Sequence, residues 1–194
     1  MSRARKASAV IVAGLVVGLV SGAALGVVWW ALAPRVPLVV RPGVSFPEAY
    51  QPEGYLAADV AFGALAVVAG VAITIGLANM RRDHLASVLV AALLASAVGT
   101  AAMWFVGSRL GSVDIEGLSA TTTEDLVVDA PLQVSMQGMF VMWALASALV
   151  VTVLALSDWV VEVRRARRSQ GPAGAQPLSP RSARGARWGR RRRR

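Results

Sequence analysis

Few residues in this chain could do chemistry, and they are widely spaced. Asp59 and Arg109 are the only charged residues close to the outer ends of the second and third apolar runs, near the same membrane level, so the two can form an ion pair. An ionisable side chain inside a membrane otherwise marks a proton or substrate site, although at interfacial depth the cost of the charge is small. Asp158 and Glu162 stand four residues apart, one turn of a helix, and repel mildly there. Arg81, Arg82 and Arg165 are available to neutralise them. A paired-carboxylate catalytic centre would need further convergent polar groups, which the sequence does not offer. His84, beside Asp83, is the single histidine, and there is no cysteine. Thiolate catalysis, disulfides, iron–sulfur clusters and multi-histidine metal sites are therefore excluded. The sequence predicts no catalytic residue, no cofactor and no metal.

The elements that must position these residues are apolar. The chain has 194 residues, 56% of them hydrophobic and only 16% charged, with a mean hydropathy of +0.57. Soluble domains carry about 25% charged residues, so this is the composition of a membrane protein. Four runs are long enough to span, at about 20 residues per crossing. They lie at about 8–33, 56–79, 85–106 and 137–163. The expected fold is all-α, a four-span bundle over residues 1–163, followed by a disordered arginine-rich tail over 164–194.

The first run is uncharged, and Gly14, Gly18, Gly22 and Gly26 recur in it at every fourth position, along one stripe of a helix. Glycine costs a helix in water about 1 kcal/mol relative to alanine. In lipid the helix is enforced by its own amides, and the stripe becomes a groove that admits another backbone. Ala66, Gly70 and Thr74 in the second run are spaced to face that groove, and Ala95, Gly99 and Met103 give the third run a small-residue face. Trp29 and Trp30 close the first run as an interfacial aromatic belt would. Ala31-Leu32-Ala33 has the form of a signal-cleavage site, but the run is much longer than a signal core, so it is read as a retained span.

Between the spans, Pro34, Pro37, Pro42, Pro47 and Pro52 rule out a continuous helix in the first loop, leaving room for an extended piece at Leu38–Val40. Residues 80–84 are a turn short enough to make the second and third spans an antiparallel hairpin. The second loop, 108–136, is acidic, and Leu132, Val134 and Met136 alternate with polar neighbours as in a strand.

Charge sets the orientation. Of the 20 Lys and Arg residues, only Arg35, Arg41 and Arg109 fall on the loop side; the other seventeen share the side of the two termini. The positive-inside rule then puts both termini in the cytoplasm of a plasma membrane. Arg164, Arg165, Arg167 and Arg168, next to the last span, are placed to bind anionic lipid headgroups. No folded motif for specific nucleic-acid recognition is present.

Trp29-Trp30-Ala31-Leu32-Ala33-Pro34, Tyr55-Leu56-Ala57-Ala58-Asp59, Trp104-Phe105-Val106-Gly107-Ser108-Arg109-Leu110-Gly111 and Ala130-Pro131-Leu132 carry a resemblance. Over about residues 8–163 the chain resembles a family of small actinobacterial membrane proteins catalogued as a domain of unknown function. The family pattern has a charged residue where Phe105 stands here. The resemblance implies four membrane helices and no particular activity. The function expected is therefore non-enzymatic: an accessory or scaffold subunit assembled through glycine-lined helix faces, with a membrane-protein partner or a second copy. The alternative is a small transporter or channel whose path follows the glycine stripe or Asp59.

Overall fold

The computed structural model describes residues 3–42, 44–47, 52–80 and 85–169. Residues 81–84 of the turn expected at 80–84, and the tail from residue 170, lie outside them. Four long helices dominate: α1 (Arg3–Leu32), α2 (Pro52–Met80), α3 (Leu85–Leu110) and, after the short α4 (Ile115–Thr121), α5 (Met142–Ser169). Each long helix is long and apolar enough to cross a membrane, so the chain is a multi-pass membrane protein built as an all-α bundle.

α1 and α3 run parallel and in register. Gly14 faces Ala91, Gly18 faces Ala95, Gly22 faces Gly99 and Gly26 faces Met103. The common step of four on both helices keeps the two stripes in phase through all four contacts. α2 joins this pair as the antiparallel neighbour of α3, with four residues between its end at Met80 and Leu85. The small stripe on α2 faces elsewhere than expected: a methyl group at Gly70 would lie 2.7 Å from the carbonyl oxygen of Trp143 and 3.0 Å from Cβ of Ala146. Gly70 thus seats α5, and the α1 groove is filled by α3 instead of by the Ala66–Gly70–Thr74 face.

α5 begins after one 3-10 turn at Gln137–Val141, where an α-helical span was expected from residue 137. It continues to Ser169, so Arg164, Arg165, Arg167 and Arg168 are helical and exposed, contrary to an unstructured tail starting at 164. The stretch before Gly171-Pro172 has no helix breaker, and Arg167 and Arg168 in the last turn favour the negative end of the helix dipole. From Leu156 onward the helix forms a unit of its own, with Leu156, Asp158, Trp159 and Glu162 all exposed.

Over the loop end lies a small cap. Strands β1 (Pro37–Arg41), β2 (Val44–Pro47) and β3 (Leu126–Asp129) form an antiparallel sheet in the order β2-β1-β3. β1 contains the extended piece expected at Leu38–Val40. In the second loop the strand is at 126–129, not at 132–136. Pro131 has no amide to give a ladder, and the amides beyond it are drawn to other partners, described below. Val36, Leu38, Val40 and Ala130 form the core of the cap, closed by Ile115 and Leu118 of α4 and by Tyr55. Asp114 caps α4 by accepting from the amide of Gly117 at 3.0 Å.

Candidate functional site

Asp59 is the one ionisable side chain that is wholly buried among the described residues. It sits about 10 Å into α2 from the helix start, at 1.5 Å per residue. Phe62 and Ala66 follow it at steps of three and four on the buried face. Its carboxylate accepts three hydrogen bonds, all from two successive backbone amides. Ser135 donates to Oδ1 at 3.0 Å and to Oδ2 at 3.2 Å, and Met136 donates to Oδ2 at 2.8 Å. Successive amides turned on one anionic group form a small concave donor site. Here the anion is part of the protein.

These bonds are one fastening of a strap, residues 130–136. The amide of Ala130 donates to the Val36 carbonyl at 2.8 Å, and that of Leu132 to the Gly111 carbonyl at 3.2 Å. Leu132 is thereby pressed into a cluster with Trp29, Ala33, Ala58, Phe62 and Met103. Gly111 permits the approach: a methyl group there would lie 2.6 Å from Cβ of Leu132. Below the strap, Trp29 donates from Nε1 to the carbonyl oxygen of Ala58, next to Asp59, at 2.9 Å, and meets Phe62 edge-on at 5.0 Å. Trp29 is fully buried, so it is no belt residue. It lies three residues after Gly26, on the glycine face, and its ring covers Gly107 of α3.

The expected ion pair between Asp59 and Arg109 is not formed. Arg109 is exposed and its guanidinium lies over the ring of Phe105, 5.1 Å from the centroid. The reason is angular: Gly107 faces the seam, and two residues on, at about 100° per residue, the chain has turned to the outside. Two other arginines do meet acids across the cap. Arg41 reaches Asp125 at 3.3 Å and Arg35 reaches Asp129 at 3.9 Å. Arg35 also donates to the Trp30 carbonyl at 3.1 Å and lies over the Trp30 ring. A shallow cleft beside the strap is lined by Pro34, Arg35, Tyr55, Pro131 and Gln133, and Asp59 does not line it.

Within the helices, Gly99 is where three elements meet. A methyl group there would lie 3.0 Å from the Gly18 carbonyl on one side and 2.5 Å from the Trp143 ring on the other. Trp143, fully buried, thus bridges from Gly70 of α2 to Gly99 of α3. Sequence reasoning missed this slot. Two glycines in different spans, each with space for one indole edge, were the available signal. The strap amides of Ser135 and Met136 were also missed, because a backbone donor has no residue-type signature.

Among the described residues no three His, Cys, Asp or Glu side chains converge on a metal site. Compared with known proteins, the chain matches no family model, no curated protein and no solved structure.

Proposed function

We propose that this protein is a non-enzymatic accessory or scaffold subunit of a plasma membrane, with both termini in the cytoplasm and the cap on the opposite face. One observation carries the reading. The buried carboxylate, the residue best suited to proton or substrate chemistry, spends its hydrogen-bonding capacity on the amides of the chain's own strap. The glycine stripe is likewise occupied within the chain, by α3. A solute path along it loses its support, since backbone atoms of Ala95 and Gly99 fill the groove. Assembly with a partner then falls to surfaces other than the α1 stripe. Arg164, Arg165, Arg167 and Arg168 are suited to hold the cytoplasmic end against anionic headgroups.

The test is gentle extraction from native membranes, crosslinking, and sizing of the complex with mass spectrometry of what co-purifies. A defined partner or oligomer is expected. A monomer with nothing attached sinks the reading, and solute flux in liposomes that is lost in Asp59→Asn revives the transporter.

A further inference from the structure

The sheet of the cap has two edges, and they differ. In an antiparallel pair, residues alternate between those that bond across the pair and those whose amide and carbonyl point away. The Ala130 amide bonds to the Val36 carbonyl, and Val36 stands opposite Ala130 in the register that continues as Leu38 with Val128 and Val40 with Leu126. These are therefore the bonded pairs. Val127 and Asp129 direct their amides and carbonyls out from the sheet. On the other side of β1 the phase is set by the same count: Val39 bonds with Phe46 and Arg41 with Val44, leaving Ser45 and Pro47 to face outward. Pro47 has no amide, which blunts the β2 edge. β3 contains no proline, no strand among the described residues pairs with its outer edge, and its Leu126 and Val127 side chains are 40% and 59% exposed.

Charge says what fits there. The loop carrying β3 holds Asp114, Glu116, Glu124, Asp125 and Asp129 against Arg109 alone. Asp114 is used in the α4 cap, and Asp125 and Asp129 each meet one arginine, which leaves Glu124, two residues before β3, as the exposed acid nearest the edge. A second copy is a poor occupant. Two β3 strands paired about Val127 would set Asp125 directly opposite Asp129, a like-charge pairing that the single arginine beside each aspartate offsets only in part. A basic strand meets no such cost.

We propose that the free edge of β3 takes up an extended, basic segment of a partner polypeptide by strand addition, with Val127 and Asp129 supplying the main-chain bonds and the surrounding acids the selectivity. This rests on the accessory-subunit reading and names the partner's chemistry. The experiment uses the full chain in lipid nanodiscs and three short fluorescent peptides: one alternating valine with lysine, one alternating valine with glutamate, and the lysine peptide with a central proline.

The lysine peptide is expected to bind, and the other two to bind at least about tenfold more weakly. Val127→Pro removes an outward amide and no ladder bond, so it should weaken the lysine peptide by about tenfold or more, and Glu124→Lys by less. Retention of the Arg41–Asp125 proximity, read by a crosslink across the cap, shows that Val127→Pro has folded. Equal binding to folded Val127→Pro, equal binding of the glutamate peptide, or no binding of the lysine peptide overturns the proposal. So does a β3–β3 disulfide formed efficiently by Val127→Cys in native membranes, which would make a second copy the occupant. If a partner co-purifies equally with wild type and Val127→Pro, the edge proposal falls while the subunit reading stands. If nothing co-purifies with either, both fall.

Discussion

The α1–α3 seam and the seat of α5 solve one problem, helix against helix in lipid, by opposite means. Along the seam nothing larger than hydrogen stands at Gly18 or Gly22, and backbone lies on backbone. α5 instead sends one large ring, Trp143, across the gap to Gly70 and Gly99, with Ala146, Ser147 and Val151 as the other buried residues on its packed face. Lipid tails are as apolar as leucine, so neither contact is driven by exclusion of water; both depend on close fit. The seam distributes that fit over four turns, whereas the α5 seat concentrates it in one side chain.

That difference can be broken at either end. The largest effect is expected from Gly18→Leu combined with Gly22→Leu. A single methyl group at these sites would already stand 2.8 Å from the Ala95 Cα and 2.7 Å from the Gly99 Cα. Overpacking at one site costs about 1–3 kcal/mol, and two rigid sites together should prevent assembly of the α1–α3 pair. Crosslinking between cysteines at the Gly14 and Ala91 positions reads the loss. Trp143→Ala comes next: an aromatic truncation of this kind costs about 3–5 kcal/mol, but here it should release α5 and leave the α1–α3 crosslink intact. Loss of that crosslink in Trp143→Ala would show that the two regions are not separable.

Asp59→Ala sharpens the comparison from outside the helices. It leaves the Ser135 and Met136 amides without their acceptor, at a cost of about 1–3 kcal/mol, and should expose the strap to proteolysis before any helix loosens. Arg41→Ala removes an exposed ion pair and should change stability by less than about 1 kcal/mol. The smallest effect belongs to Gly76→Ala: within 4 Å nothing would meet the added methyl group, so thermal stability in detergent should hold or rise slightly. A large loss there would mean that glycines in these helices matter for reasons other than approach distance.

The four spans were legible because apolar runs of such length with so few charges have one physical explanation. The period of four in Gly14–Gly26 was legible too, and so was its meaning as a groove. Which helix enters the groove was not. Both Ala66–Gly70–Thr74 and Ala95–Gly99–Met103 offer small residues at the right step, and only the bundle's geometry chooses between them. Asp59 was legible as the odd charge in the second span, but it was read as an interfacial residue and its partner was sought among side chains; its complete burial was not foreseen. Arg109 lies too far around its helix, and the carboxylate went to backbone amides that any sequence could provide. β3 was placed six residues late because alternation at Leu132–Met136 is local, whereas the strand at Leu126–Asp129 is decided by pairing with β1, far away in the chain.

The register of the seam also bears on how the protein is made. Each stripe residue of α1 meets its mate 77 positions later, as Gly14 does with Ala91. At a synthesis rate of about 5–20 residues per second, the first helix waits roughly 4–15 s in the bilayer before that mate exists. During biogenesis its bare groove is open to any other helix with small residues at the same step, so the nascent chain needs either a temporary guardian or a neighbourhood free of competitors.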